Sequence, residues 1–187
     1  MRIIGGNFKG KKIFEPKDKE TRPLKDLTKE SIFNIINHSN KFSINIEKAN
    51  VLDLFSGVGS FGIECLSHGA NHVSFIEKYK GVLPILKKNL DNLNSKIDYK
   101  IIEKDILNNF EFKNLKLRYD IIFLDPPYKE NNISNFLNII IKTKLLKNNG
   151  IIIIHRHKKK IDIFPTSFKT IEEKVYGISK IIFGTYI

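Results

Sequence analysis

The sequence contains very little cysteine, with Cys65 as the only one among 187 residues. An internal disulfide is therefore excluded, and without a cluster of cysteine and histidine a structural zinc site is not expected. Long hydrophobic runs are also missing, since Ile151 to Ile154 is far shorter than the roughly 20 apolar residues of a membrane span. The first residues lack the apolar core of a secretory signal. These absences predict a soluble, cytoplasmic protein in a reducing compartment, with no bound metal.

Acidic residues are outnumbered: 32 Lys and Arg stand against 20 Asp and Glu, giving a formal net charge of +12 and a pI near 9.6. Such an excess favours a polyanionic partner such as a nucleic acid. The sequence is also rich in Lys, Asn and Ile, so a surface of solvated lysines is the competing interpretation. Charge alone leaves both open.

The length predicts one main domain with a substantial core, residues 28–187, preceded by a small basic appendage at residues 1–27. Within the appendage, Arg2 to Phe14 is predicted to form a β-hairpin around glycines, followed by a polar linker. Thr28 to His38 has the apolar spacing of an amphipathic helix, with Thr28 as its N-cap.

From Asn50 onward, apolar strands alternate with helices. The predicted strands are Val51–Phe55, His72–Glu77, Tyr99–Ile102, Tyr119–Leu124 and Ile151–His155, and the predicted helices are Ser60–His68, Tyr79–Asn92, Ile106–Leu117 and Asn132–Leu146. Thr170–Tyr176 and Ile178–Tyr186 then alternate around Gly177 as an antiparallel hairpin. The pattern predicts an α/β, Rossmann-like fold with a mostly parallel seven-stranded sheet and a C-terminal antiparallel hairpin.

Three polar segments follow consecutive predicted strands, where ligands of such sheets bind. The first is the glycine loop from Asp53 to Gly59, the second is Glu77, and the third ends at Asp105. A carboxylate at Glu77 can accept both hydroxyls of a ribose. Each signal is weak alone, but together they predict a nucleotide cofactor, either NAD or S-adenosylmethionine.

The segment Asp125-Pro126-Pro127-Tyr128 distinguishes the two cofactors. Two prolines stop the preceding strand and leave a carboxylate and an aromatic ring at its mouth. The Asp125 carboxylate and the Pro126 carbonyl can accept the two hydrogens of a planar amine, and Tyr128 can stack on the base that carries it. Hydride transfer does not need a binding site for a methyl acceptor of this kind. S-adenosylmethionine is therefore favoured, with Asp53 facing its positive charge.

Several motifs carry a resemblance to a known family. They are RIIGG-x-F-K-G-K-K at Arg2 to Lys12, T-R-P at Thr21 to Pro23, K-E-S-I-F-N at Lys29 to Asn34, D-L-F-S-G-V-G-S-F-G-I-E at Asp53 to Glu64, and DPPY at Asp125 to Tyr128. Together they resemble the bacterial 16S (small-subunit) ribosomal RNA guanine-N2 methyltransferase D family. That resemblance spans nearly the whole chain and implies a class I methyltransferase that methylates the exocyclic amine of a guanine.

The resemblance also implies the functional residues. The catalytic residues would be Asp125, Pro126 and Tyr128; the S-adenosylmethionine site would comprise Asp53, Phe55, Gly57, Gly59, Glu77, Lys78, Asp105 and Ile106; and the RNA contacts would be Arg2, Lys9, Lys11, Lys12 and Arg22. The implied partner is small-subunit ribosomal RNA, free or in the assembled subunit, bound by a monomer. An adenine-N6 methyltransferase of DNA or RNA and a non-catalytic ribosome-assembly protein remain alternatives.

The chain departs from the family pattern in two places. Leu24 and Leu27 stand where threonine and a basic residue are usual, and His155-Arg156-His157 is basic where the family tends to be acidic. His155 and His157 are expected to be partly exposed residues at the end of a strand rather than catalysts.

Overall fold

The structure is a computed structural model and describes residues 1–17, 24–108, 110–127 and 129–187. Its helices are α1 (Asp26–His38), α2 (Ser60–Ser67), α3 (Leu83–Asp91) and α4 (Ile133–Lys142), and its strands are β1 (Asn50–Leu54), β2 (His72–Glu77), β3 (Tyr99–Glu103), β4 (Tyr119–Leu124), β5 (Leu146–His157), β6 (Phe168–Tyr176) and β7 (Ser179–Tyr186). Short 3₁₀ turns occur at Gly6–Phe8 and Phe112–Asn114.

The strands form one sheet in the order β3-β2-β1-β4-β5-β7-β6. Strands β1 to β5 are parallel to their neighbours, whereas β7 runs antiparallel between β5 and β6. The predicted fold class is confirmed. Because the winding reverses between β1 and β4, the loops that follow these two strands open a crevice at the carboxyl edge of the sheet.

Both faces of the sheet are covered, as the apolar strands require. On one face, α1, α2 and α3 pack on a cluster that includes Val51, Phe75 and Phe123. On the other face, α4 and the Phe112–Asn114 turn pack on a cluster that includes Leu52 and Leu124. Neighbouring residues of one strand thus pack into the clusters on opposite faces of the sheet. Polar groups that could bind a ligand are therefore expected at the strand ends.

The first 14 residues, here the N-terminal ribbon, pack against α1 and α2. The predicted hairpin strands are reduced to a single antiparallel bridge between Arg2 and Lys12, because the 3₁₀ turn Gly6–Phe8 interrupts the pairing. Ile3 and Ile13 are each 1% exposed within the same core cluster as the helices. The ribbon therefore shares the main core.

Several predicted elements were wrong in detail. The predicted helices Tyr79–Asn92 and Asn132–Leu146 are shorter in the structure, at Leu83–Asp91 and Ile133–Lys142. Residues 106–117 form no α-helix in their described part, only the Phe112–Asn114 turn. Helix α1 begins at Asp26 and makes no side-chain cap, so Thr28 lies inside it. Strand β5 begins at Leu146, before Gly150 rather than after it. A Cβ on Gly150 would lie 2.8 Å from Leu146 Cδ1 and 3.0 Å from Asp120 O, so this position within the strand requires glycine.

Candidate active site

The glycine loop between β1 and α2 is held in conformations that few side chains adopt. Phe55, Gly57 and Gly59 have φ angles of +63°, +54° and +82°. A Cβ on Gly59 would lie 2.5 Å from Leu86 Cδ1, so close packing as well as the backbone requires glycine here. The Phe55 ring packs edge-on against Phe136 at 5.7 Å. The loop is a fixed turn beside the crevice.

Asp53 begins this loop inside the protein, with 1% of its surface exposed. Its Oδ2 accepts a hydrogen bond from the backbone N–H of Gly62 at 3.0 Å. Burial raises the pKa of Asp53 well above its usual value despite that hydrogen bond, and the charges of Asp125 and Glu77 raise the pKa further. Three carboxyl groups at one edge repel each other, so a cationic ligand would be favoured.

Glu77 ends β2 and is fixed by three backbone donors. Its Oε2 accepts from Gly57 N at 2.7 Å, and its Oε1 accepts from Lys78 N and Tyr79 N, both at 2.8 Å. A carboxylate has about four acceptor sites, so it retains capacity for a hydroxyl. Glu77 thereby joins the glycine loop to the end of the next strand.

Asp105 follows β3 and pairs with Lys78, whose Nζ lies 3.1 Å from Asp105 Oδ2. Slight burial raises the pKa of Asp105, but hydrogen bonds from Leu107 N and from the Lys78 and Asn108 side chains outweigh it and lower the pKa. Ile106 beside it is 6% exposed. The predicted cofactor residues thus converge on three adjacent strand ends.

Asp125 follows β4 across the crevice, with its side chain 20% exposed. Its backbone N–H donates to Leu54 O at 3.3 Å, which ties the loop to the end of β1. Pro126 is buried behind it. Tyr128 lies outside the described residues.

His155 was expected to be partly exposed, and this prediction was wrong. It is 6% exposed, and its Nδ1 lies 2.8 Å from Asp125 Oδ1 while its Nε2 lies 2.9 Å from Ser179 Oγ. Burial lowers the pKa of His155, but the charge and the hydrogen bond of Asp125 outweigh it and raise the pKa above its usual value, with Arg156 opposing. Only a signal that linked residues 125 and 155 in space could have revealed this contact.

Arg156 also contacts the segment that follows β4, residues 125–127 and 129–132, here called the acceptor loop. It is fully buried and forms two hydrogen bonds with Asp162, at 3.0 Å from Nε and 2.8 Å from Nη2. The same Nη2 donates to Glu130 O at 2.6 Å. The basic departure from the family pattern is therefore built into the structure, since one histidine and one arginine hold the segment that follows β4.

Comparisons with known proteins identify the family. A family model described as Conserved hypothetical protein 95 matches residues 1–185. Ribosomal RNA small subunit methyltransferase D of Haemophilus influenzae is 32% identical over 179 residues, which cover 95% of this chain and 90% of that protein. Its counterpart in Buchnera aphidicola (Baizongia pistaciae strain) is 32% identical over 187 residues, covering 100% and 91%. The chain belongs to the ribosomal RNA small subunit methyltransferase D family.

A solved structure agrees with this assignment. An Escherichia coli protein described as a candidate methyltransferase superposes with a TM-score of 0.80 at 25% identity, covering 100% of this chain and 97% of that one. The predicted family and the class I methyltransferase fold are confirmed. Within the described ranges, no helix is long and apolar enough to span a membrane, and no three His, Cys, Asp or Glu side chains are grouped to hold a metal ion.

Two of the family motifs meet in the core. Lys29 of K-E-S-I-F-N and Glu64, which ends the glycine-loop motif, form an ion pair at 3.0 Å with neither side chain exposed. Glu64 also accepts from the N–H groups of Ile4 and Gly5, and Lys29 Nζ donates to Arg2 O at 2.8 Å. These two residues bind the ribbon to α1 and α2.

The predicted RNA contacts on the ribbon differ in their surroundings. Arg2, Lys9 and Lys12 are exposed. Lys11 is half-buried, and its Nζ donates to Asn92 O at 3.1 Å and to Leu93 O at 2.7 Å, so it already caps the chain after α3. Arg22 falls among the residues that the structure does not describe.

The ribbon runs along α2 from its first residue, next to the glycine loop, to its last residue. Ser60 Oγ at the start of α2 lies 3.4 Å from Met1 Sδ, whereas Phe8 N donates to Ser67 Oγ at its end. The eight residues of α2 span about 12 Å at 1.5 Å each. Lys9, which follows Phe8, therefore lies at the end of α2 that is remote from the glycine loop.

Proposed function

We propose that this protein transfers a methyl group from S-adenosylmethionine to the exocyclic N2 of a guanine in small-subunit (16S) ribosomal RNA. The observation that carries the proposal is the position of Asp125 at the carboxyl end of β4, where its N–H donates to Leu54 O and its charge acts on Asp53 of the cofactor side. Relatives named ribosomal RNA small subunit methyltransferase D support the RNA substrate.

The residues of the crevice fit the proposed cofactor. S-adenosylmethionine, when bound, supplies the methyl group on a positively charged sulfur. Asp53 provides a buried negative charge, Glu77 provides acceptors for ribose hydroxyls, and Asp105 with Ile106 provides a polar and an apolar contact for the adenine. Phe55, Gly57, Gly59 and Lys78 complete the walls. Burial raises the pKa of Asp53, and the charges of Asp125 and Glu77 raise it further. A bound cation would relieve this repulsion among the carboxylates.

Asp125 prepares the amine. Guanine N2 is a poor nucleophile because its lone pair is delocalised into the ring. The Asp125 carboxylate and the Pro126 carbonyl accept the two amine hydrogens and turn the lone pair toward the methyl group, which favours a pyramidal nitrogen. As the N–C bond forms and the C–S bond breaks, the positive charge on the nitrogen develops beside Asp125, which takes the released proton. Tyr128 stacks on the splayed base.

His155 acts as a positioning residue for Asp125. Its Nδ1–H donates to Oδ1 and leaves Oδ2 to be aimed at the amine, while Ser179 supports the opposite ring nitrogen. With a neutral imidazole the pair keeps a full negative charge for the developing ammonium. With an imidazolium that charge is largely neutralised, so we expect the neutral form to be the active one.

The direct test of this function uses the purified protein, isotopically labelled S-adenosylmethionine and small subunits that lack the modification. Nuclease digestion and mass spectrometry then identify the labelled nucleoside. We expect N2-methylguanosine at a single site of the small-subunit RNA. Label in adenine, in DNA or in protein would show that the proposed substrate is wrong. Absence of transfer despite tight cofactor binding would favour a non-catalytic assembly protein.

A further inference from the structure

The loop between β5 and β6, residues 158–167, presents two apolar side chains to solvent. Ile161 is 93% exposed and Ile163 is 83% exposed, whereas the Asp162 side chain between them is 4% exposed. Exposed isoleucines that flank a buried residue cannot reach the core of their own protein. Grouped exposed apolar side chains indicate a surface that contacts something else.

This exposure does not come from a loose loop, because a buried ion pair and further hydrogen bonds hold the loop in place. Arg156 holds Asp162 with two hydrogen bonds and also binds Glu130 O. Lys160 Nζ donates to Asn131 Oδ1 at 2.7 Å, and Lys180 Nζ donates to Lys160 O at 2.7 Å. The isoleucines are held outward by an anchored turn.

The anchored turn lies beside the acceptor loop. Glu130 and Asn131, to which it is bound, come five and six residues after Asp125. His155, two residues before the loop's flanking His157, contacts Asp125 itself. Lys129, Lys158 and Lys159 are exposed on the same two segments. Positive charge and apolar side chains thus occur together at the entrance to the proposed guanine site.

We infer that this surface, made of Lys129, Lys158, Lys159, Ile161 and Ile163, binds the unpaired nucleotides that flank the target guanine. The inference rests on the proposed function. Lysines can contact phosphates, and apolar side chains can pack against or insert between bases that have left their stack. A guanine that reaches Asp125 must be splayed out, so its neighbours lose their stacking partners at this place. Two isoleucines would replace that lost stacking.

The charge favours RNA over a protein partner. Three exposed lysines surround only two isoleucines, whereas the core of a protein interface is depleted of lysine. The anchored turn also adds contacts on the side of the crevice opposite the N-terminal ribbon, so the two surfaces can hold RNA on both flanks of the reacting base.

Two double variants and two matched controls test the inference. Ile161→Ser with Ile163→Ser removes the apolar contacts, and Leu117→Ser with Ile187→Ser is its control at the opposite edge of the sheet, where the side chains are 39% and 84% exposed. Lys158→Gln with Lys159→Gln removes two charges, and Lys96→Gln with Lys100→Gln removes the same charge from an exposed site near β3. Melting temperature and S-adenosylmethionine affinity are expected to stay unchanged in all four.

Binding is measured with undermethylated small subunits over a range of salt concentrations. We expect the isoleucine variant to bind at least about tenfold more weakly with an unchanged salt slope. The lysine variant should lose about 1.4 from the slope, or about 0.7 for each single-strand phosphate contact. Both controls should match the wild type.

If the isoleucine variant binds like its control, the proposed apolar contacts to bases are wrong. If the lysine variant binds like its control, the proposed phosphate contacts are wrong. If sedimentation shows a wild-type dimer that the isoleucine variant dissociates, the surface joins two copies of the chain and the RNA inference fails. If the wild type methylates no RNA, the proposed function fails instead, and that result is recognised before any variant is tested.

Discussion

The two sides of the crevice fix their carboxylates in different ways. On the cofactor side, Glu77 is held by the backbone N–H groups of Gly57, Lys78 and Tyr79. Asp105 is held by Leu107 N and by the side chains of Lys78 and Asn108. On the acceptor side, Asp125 is held by the imidazole of His155, which lies 30 positions later on the neighbouring strand. Most donors on the cofactor side lie within three residues of the carboxylate that they hold, although Gly57 and Lys78 also contribute from neighbouring strand ends. The side-chain contact of Asp125, in contrast, depends entirely on how β4, β5 and β7 align.

The largest loss of stability is expected at the buried Lys29–Glu64 pair, whose glutamate lies in α2, directly after the glycine loop. Glu64→Gln leaves an uncompensated buried ammonium, so the free energy of unfolding should fall by about 3–5 kcal/mol. Urea denaturation at pH 7 measures this loss. Adding Lys29→Met to Glu64→Gln removes the stranded charge, so the double variant should be more stable than Glu64→Gln alone.

The pH dependence of this pair provides a check. Burial raises the pKa of Glu64, but His68, Lys29 and Ile4 N together lower it below its usual value. The ion pair therefore contributes fully above the ordinary glutamate pKa of about 4.3 and loses its contribution as the pH falls through the lowered value. The stability gap between wild type and Glu64→Gln should close in acid. A gap that stays constant would show that charge is not its cause.

The pH dependence of stability should be opposite for Asp53, because its buried carboxylate lowers the stability of the folded protein while it favours binding of the cationic cofactor. Its raised pKa means that the folded protein holds the proton more tightly than the unfolded chain, so this group lowers stability as the pH rises above about 3.9. Asp53→Asn should therefore melt at a higher temperature than the ligand-free wild type at pH 8, with little difference in acid.

The same variant should bind S-adenosylmethionine about 10- to 100-fold more weakly, as expected when a charged contact is lost. Calorimetry measures the affinity. A variant that is more stable and binds the cofactor as well as the wild type would show that the buried charge has no role in the cofactor site.

His155→Asn should have a smaller effect that is confined to the acceptor side. Asparagine can donate to Asp125 but is too short to contact Ser179 as well, so Asp125 is positioned less firmly. We expect about a tenfold loss in kcat and no change in cofactor affinity. Asparagine also cannot titrate. The pKa of His155 lies above the usual 6.5, so the wild-type rate should rise with pH through that raised value as the imidazole becomes neutral. The variant should lack this rise. If both enzymes show the same rise, another group titrates.

The sequence predicted one side of the crevice better than the other. Strands β2 and β4 have the predicted bounds, and the loop from Asp53 to Gly59 lies where the strand order reverses. Periodicity and glycine spacing are local signals, and they sufficed there. The expectation that His155 is partly exposed was wrong, because its burial arises from pairing with β7, which brings Ser179 against it. Long-range pairing of this kind leaves no local pattern. The roles of the site residues stay predictions.

The central claim is that the Asp125 carboxylate activates the amine. Its most direct test is the single-turnover rate of Asp125→Asn with saturating S-adenosylmethionine and undermethylated small subunits. Because the amide keeps the shape but not the charge, we predict unchanged cofactor affinity and a rate reduced by at least about 10²-fold, as for other groups that stabilise transition-state charge. A rate close to that of the wild type would contradict the account.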